Sequence, residues 1–327
     1  MLSSVLLAVA LGALAVSCIL RALLPCLRLF LLDQPNARSS HVLPTPRGGG
    51  VSFVLVAAAT SFFGFLQPIF SGQSGLPAGE LAIVILPLLA LPLAVVGFLD
   101  DRYNLPAELR YIFQLLTALM LILVSPLPLP WLMLPPMLIV VTAVINFTNF
   151  MDGLDGLVSG CLVVAIGSLA IALTAPPSLW ALVGSLIGFM FWNWSPAKVF
   201  MGDVGSTFLG ALFSGLALQA PSWSEAFGYL LVATPLLGDA CLCVIRRLLD
   251  GQRVFQAHRL HLFQRLNQAG WPHAHVSLTY IVTTSLLAVS MHVGGLPWVS
   301  CFSVLVLLAG VWLDQRVALP FAVASKS

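Results

Sequence analysis

Eleven apolar stretches, separated by short polar segments that hold nearly every charge, restrict this chain to a helical bundle in a membrane. They run at about 2–20, 50–70, 81–99, 111–124, 131–148, 157–175, 179–194, 206–220, 227–245, 278–292 and 298–313. Each is continuous rather than alternating, which fits helices that satisfy their own backbone and excludes a transmembrane β-barrel. With 59% hydrophobic and 8% charged residues and a mean hydropathy of +1.02, no segment has the composition of an inserted soluble domain. The fold class expected is all-α and polytopic, with about 11 transmembrane helices in a single domain spanning 1–327.

The basic residues give an orientation. All 14 Lys and Arg residues fall in the segments 21–49, 100–110, 149–156, 195–205, 246–277 and the tail from 314. The opposite connections carry only Glu80 and Glu225. The positive-inside rule then places the N-terminus outside (periplasmic) and the C-terminus in the cytosol. The first apolar run lacks a basic n-region, with Arg21 and Arg28 following it, so it reads as a retained helix rather than a signal peptide.

Five acids sit at the cytosolic edges of these runs: Asp100 and Asp101 in GFLDDR, Asp152 and Asp155 in NFMDGLDG, and Asp203 in FMGDVGS. Carboxylates beside hydrocarbon are expensive and mark function. Gathered at one surface they repel unless protonated or bound to a cation, which points to a divalent metal and a phosphate-bearing substrate. Neighbouring residues on a helix diverge by about 100°, so Asp100 and Asp101 share one point only at a frayed helix end. The ladder Asn146, Asn149, Asp152, Asp155 has a three-residue step and forms one polar face if helical. Gly202 and Gly205 around Asp203 expose amides suited to an anion.

Two further loops carry polar groups. DQPNARSSHVLPTPRGGG holds Asp33, Asn36, Arg38, Ser39, Ser40, His41, Arg47 and Gly48–Gly50, and is poorly suited to helix at Pro35, Pro44 and Pro46. It reads as a phosphate or headgroup contact, or as a tether between helices. QRVFQAHRLHLFQR holds Arg253, His258 and His261, a cationic, hydrogen-bonding wall for a nucleotide diphosphate. His273 and His275 read as solvated loop residues. Asp239 reads either as a packing acid or as a sixth site carboxylate. The six cysteines show no metal-ligand spacing and read as packing residues, with no disulfide framework implied.

In order along the chain, DQPNARSSH-PTPRGGG, GFLDDR, NFTNFMDGLDG, FMGDVGS and AHRLH resemble the polyprenyl-phosphate N-acetylhexosamine-1-phosphate transferases, glycosyltransferase family 4. The resemblance runs from Asp33 to about Gly270, and its wording is most similar to enzymes that begin O-antigen or other surface polysaccharides. It implies transfer of a HexNAc-1-phosphate from a UDP-HexNAc to undecaprenyl phosphate with release of UMP, in the bacterial inner membrane, at a site facing the cytosol. The implied cofactor is Mg²⁺, with Mn²⁺ as the alternative. The implied catalytic pair is Asp100 and Asp101; Asp203 and Asn149 are the metal residues. Asp152, Asp155, Asn146, Arg253, His258, His261 and Arg47 are the substrate-binding residues. The partners are then the two substrates and the lipid bilayer, with no nucleic acid and with homodimerisation left open. The H-R-L-H wording departs from the triple histidine of phospho-MurNAc-pentapeptide transferases, the alternative within the family. A phosphate-binding cation shortly after the paired aspartates is not evident in the sequence beside Glu108 and Arg110. A secondary transporter is the alternative of a different class; its site belongs near the midplane, away from these edges.

Overall fold

A computed structural model describes residues 2–35, 43–72, 75–252 and 258–325. Helix occupies all eleven apolar segments: α1 (Leu2–Phe30), α2 (Val51–Ser71), α3 (Ala78–Tyr103), α4 (Ala107–Leu123), α5 (Leu134–Phe150), α6 (Leu157–Ala172), α7 (Pro177–Asn193), α8 (Asp203–Ala217), α9 (Trp223–Val232), α10 (Thr234–Leu249) and α12 (His273–Arg316). Short helices α11 (Leu262–Gln268) and α13 (Phe321–Ala324), a 3-10 turn (Trp131–Met133) and a two-residue ribbon, β1 (Leu32–Asp33) against β2 (Thr45–Pro46), complete the elements of the described residues. Pro77, Pro106, Pro176 and Pro272 stand at N-caps, where a fixed φ and a missing N–H end one path and begin another.

Among the described residues five helices are long and apolar enough to cross a membrane, or six if α9 and α10 form one bent span. The others, α4, α6, α7 and α8, have 15 to 17 residues. The molecule is therefore a helical, multi-pass membrane protein. Its hydrophobicity is inverted at the edge: Leu7, Leu11 and Leu14 of α1 and Leu286, Val289 and Leu308 of α12 are exposed, as lipid contact requires.

Two segments depart from straight helix. α9 and α10 meet at 82°, beside Pro235, which has no N–H to continue the ladder. α12, at 44 residues, would measure about 66 Å if straight. It folds back at Gly295 (φ 61°, ψ −154°), so that Thr279 and Thr283 of the first arm line the same cavity as Gly310 and Asp314 of the second.

Small residues determine how closely the helices approach. Gly184 and Gly188 of α7 bear on the backbone of α1 at Val9 and Ala13. The innermost element is α8, buried throughout from Val204 to Ala217. A Cβ on Gly97 of α3 would lie 2.5 Å from the Asp203 carbonyl, and one on Gly210 would lie 2.8 Å from Ile145 Cα of α5. These two crossings bring the ends of α3 and α5 to the start of α8.

Candidate functional site

The start of α8 is the centre of the site. Gly202 takes φ +75°, and the amides beyond it point out of the helix end. Those amides are already taken by carboxylates of the chain itself. Asp203 N donates to Asp101 Oδ1 at 3.2 Å and Val204 N to Asp101 Oδ2 at 3.3 Å. Asp152 accepts from the Gly202 amide. The anion that the glycine-flanked turn was expected to bind is thus supplied largely by Asp101, at the positive end of the α8 dipole.

Asp100 diverges from Asp101 around α3, as adjacent residues on a helix must. Its Oδ1 accepts from Leu105 N at 2.7 Å and its Oδ2 meets Arg110 Nη1 at 2.6 Å. The same Arg110 nitrogen lies 3.5 Å from Asp203 Oδ2. No frayed helix end is needed: Asp101 reaches Asp203 at its backbone, and Asp100 reaches its carboxylate both directly and through Arg110. Arg110 also supplies the cation after the aspartate pair that the sequence left unassigned. It enters from the first turns of α4, which the Asn104 turn brings back beside α3.

Asn149, on the last turn of α5, donates from Nδ2 to Asp203 Oδ1 at 3.0 Å and to Ser206 Oγ at 2.9 Å. Asn146, one turn earlier, is tied to Gln114 of α4 by a reciprocal amide pair of 2.7 and 3.1 Å. It joins two helices rather than facing the acids.

The single helical face expected from Asn146 to Asp155 is not formed. α5 ends at Phe150, and Gly156 at φ +73° redirects the chain into α6. Asp152 and Asp155 consequently part. Asp152 turns to α8, and burial, followed by the Asp203 charge, raises its carboxyl to about 7. Asp155 is buried; its Oδ2 accepts from Ala197 N at 3.2 Å and lies 3.2 Å from His273 Nδ1. His273 is therefore a partner of Asp155 at the start of α12, 15% exposed, and not the solvated loop residue expected.

The Gly48–Gly50 run serves packing. Gly49 N and Gly50 N donate to Phe200 O and Met201 O at 2.9 Å, and a Cβ on Gly50 would lie 2.5 Å from Gly205 Cα. The run carries α2 onto the start of α8. Arg47 pairs with Asp33 at 2.9 Å and remains 40% exposed at the same end. Asn36, Arg38, Ser39, Ser40 and His41 lie outside the described residues, as does Arg253.

His258 and His261 lie beside the turn after α5: the His261 ring is 6.3 Å from that of Phe150 and 5.0 Å from that of His258. Burial, then His261 and Arg247, lowers His258 to about 3, and burial, then Arg247 and Arg265, lowers His261 to about 3. Both are neutral imidazoles. Asp239, undecided from sequence, is the anchor of this loop. Its Oδ1 accepts from Leu262 N at 2.8 Å, and its Oδ2 accepts from Phe263 N at 3.1 Å and Tyr280 Oη at 2.8 Å. Arg265 is held by Leu260 O, Leu319 O and Asp314, which fixes α11 against the second arm of α12. The six cysteines are free thiols, as expected, yet Cys243 stands next to both histidines.

The acids gathered around Asp203 offer carboxylate oxygens, with an arginine beside them. That is the donor set of a hard divalent cation that also meets phosphate. The family model for glycosyl transferase family 4 matches residues 83–220, from α3 to just past α8, the span that contains all five acids and Asn149. A phospho-N-acetylmuramoyl-pentapeptide-transferase of Desulforudis audaxviator is 31% identical over 75% of this chain and 83% of its own length. The chain belongs to glycosyl transferase family 4. Other relatives in that family's range are a probable undecaprenyl-phosphate N-acetylglucosaminyl 1-phosphate transferase of Bacillus subtilis, 28% identical over 85% of this chain and 81% of its own. An undecaprenyl-phosphate alpha-N-acetylglucosaminyl 1-phosphate transferase of Yersinia pestis is 28% identical over 80% and 76%. In this family 4 transferase, Asp100, Asp101, Asp152 and Asp203, about 50 residues apart from motif to motif, converge on one helix start.

Proposed function

We propose that this family 4 transferase moves a HexNAc-1-phosphate from a UDP-HexNAc to undecaprenyl phosphate, releasing UMP and beginning a surface polysaccharide such as O-antigen. The observation that carries the reading is the meeting of Asp203, Asp100, Asn149 and Arg110 at one end of an apolar bundle. A lipid-borne phosphate arrives at that level with its tail still in hydrocarbon. The relatives' names supply the substrate class.

In the proposed reaction an oxygen of the lipid phosphate forms a bond to the sugar-linked phosphorus, and the bond from that phosphorus to the UMP oxygen breaks. One phosphoanhydride replaces another, so the reaction is nearly balanced. Most of the catalysis is alignment and neutralisation of two anions. Asp203 and Asn149, with Asp100 beside them, would hold Mg²⁺, which would supply charge neutralisation and orientation of phosphate oxygens. Arg110 adds a fixed cation between the same two carboxylates. Asp101, with both oxygens on α8 amides, positions Asp203. The proton-handling share of the acids falls to Asp152, whose carboxyl titrates near the lipid phosphate's second pKa of about 6. His258 and His261, neutral and beside the Asp152 turn, are the hydrogen-bonding groups proposed for the donor together with Arg47, and the sequence adds Arg253 to them.

The eleven helical segments are proposed to cross the membrane as eleven spans, the fold-back at Gly295 separating the last two. The acids, both polar loops and all 14 basic residues then share the cytosolic face. The phospho-MurNAc-pentapeptide reading is favoured by the 31% identical relative, and the donor separates it from the first. The test is purified protein incubated with undecaprenyl phosphate, Mg²⁺ and a panel of UDP-HexNAc donors including UDP-MurNAc-pentapeptide. The lipid product is read by mass spectrometry. A lipid heavier by one HexNAc-phosphate supports the proposal; the pentapeptide product alone replaces it with the second reading; no lipid product with any donor refutes both.

A further inference from the structure

We propose that Cys243, His258 and His261 form a second metal site, for a thiophilic divalent cation of the zinc class, distinct from the carboxylate cluster around Asp203. Cys243 follows Asp239 by one turn on the same face of α10. The loop before α11 lays His258 and His261 over that face. One ligand atom from each of the three lies within 4.8 Å of the others. Tetrahedral zinc, with Zn–S about 2.3 Å and Zn–N about 2.0–2.1 Å, separates its ligand atoms by roughly 3.3–3.7 Å. Closure around an ion takes a shift of about 1 Å, well within reach of a thiol and two imidazoles on rotatable bonds. A thiolate and two imidazoles select zinc-class ions, whereas Mg²⁺ takes oxygen.

A second observation points to the same ligand. His261 is 2% exposed, and its Nδ1 makes no hydrogen bond. That nitrogen faces Asp239 Oδ1 at 3.8 Å. A carboxylate behind an imidazole is the arrangement that orients a metal-bound histidine; a small approach of Nδ1 to Asp239 would complete that hydrogen bond and leave Nε2 for the ion. Asp239 is itself fixed by two α11 amides and the Tyr280 hydroxyl, so the support for the ring is rigid. Three protein ligands leave the fourth position to water. An ion here ties α10 to the loop before α11. Because that loop also carries the two imidazoles assigned to the donor, zinc-class ions are expected to inhibit transfer. The site rests on α10 and the loop alone, and the transferase reading can fail without touching it.

The test uses chelator-stripped, full-length protein in detergent and Co²⁺ as the probe, since thiolate-bound tetrahedral cobalt absorbs in the near ultraviolet and the visible. The expected result is one Co²⁺ per chain with thiolate charge-transfer absorption, displaced by equimolar Zn²⁺ and unmoved by excess Mg²⁺. Cys243→Ser removes the charge-transfer band, while Cys18→Ser and Cys301→Ser keep it. Asp239→Asn weakens Zn²⁺ affinity by about 10- to 100-fold. His258→Ala provides the check that does not depend on Cys243→Ser folding: it retains the thiolate band only at much higher Co²⁺. Absence of the band in the wild type, or its persistence in Cys243→Ser, overturns the proposal.

Discussion

The two acid pairs, Asp100–Asp101 and Asp152–Asp155, look alike in sequence and divide their labour alike in the structure. In each, one carboxylate is held by the packing around the site and the other addresses Asp203, although Asp100 and Asp152 also accept one backbone amide each. Asp101 spends both oxygens on the start of α8, and Asp155 takes the Ala197 amide and His273. Asp100 meets Arg110, and Asp152 looks toward Asp203 with its proton held to about 7. The difference between the pairs is how they diverge. The first separates by helix geometry, two adjacent residues pointing about 100° apart. The second separates because the helix ends between Asn149 and Asp152. A carboxylate at a membrane surface is therefore not by itself evidence of catalysis; what its oxygens accept decides.

The comparison breaks most easily at Asp203, which both pairs address. Asp203→Asn is expected to lower turnover by about 10²–10³-fold, as loss of one charged site group does, with the melting temperature unchanged. Near-normal turnover ends its assignment as the metal residue. Arg110→Ala removes a charge-assisted contact and is expected to slow transfer roughly 10- to 100-fold, with Arg110→Lys recovering part of it. Equal loss in both would make the guanidinium geometry, rather than its charge, the requirement.

Asp155→Ala sharpens the contrast within the second pair. It strands the half-buried Ala197 amide and is expected to reduce stability by about 1 kcal/mol, seen as a lower melting temperature. If instead it lowers turnover at unchanged stability, the division of labour is wrong. The smallest effect is a slope. The folded protein keeps the Asp152 proton up to about pH 7, whereas the unfolded chain releases it near 3.8. Between those values folding takes up a proton, so this group's contribution to stability declines as pH rises. Asp152→Asn is expected to flatten that decline in melting curves recorded with a chelator; an unchanged slope would place the raised titration elsewhere.

Hydropathy locates the helices because every apolar run here is long, continuous and bounded by charge or proline. It also separates the two arms of α12, since Gly294, Gly295 and Pro297 interrupt them. The acids are readable for the same reason: a charge at the end of an apolar run stands out, although what it contacts does not. What the sequence hides is direction. Asn146 keeps the spacing of a site residue and pairs with Gln114, 32 residues earlier. Arg110, 10 residues past Asp100, serves the pair only because α4 doubles back on α3. His273 and Cys243 find their partners across 118 and 15 or more residues, so no local spacing betrays them. Gly97 and Gly210 look like ordinary glycines of apolar helices, and only the crossings with α8 show what they permit.

The most direct measurement is UMP release from UDP-HexNAc by wild-type and Asp203→Asn protein, with and without undecaprenyl phosphate, in Mg²⁺ and in chelator. The account predicts UMP only from the wild type, and only with lipid phosphate and Mg²⁺ both present. Release that ignores the metal, or that survives in Asp203→Asn, would contradict a phosphoryl-transfer centre built on the start of α8.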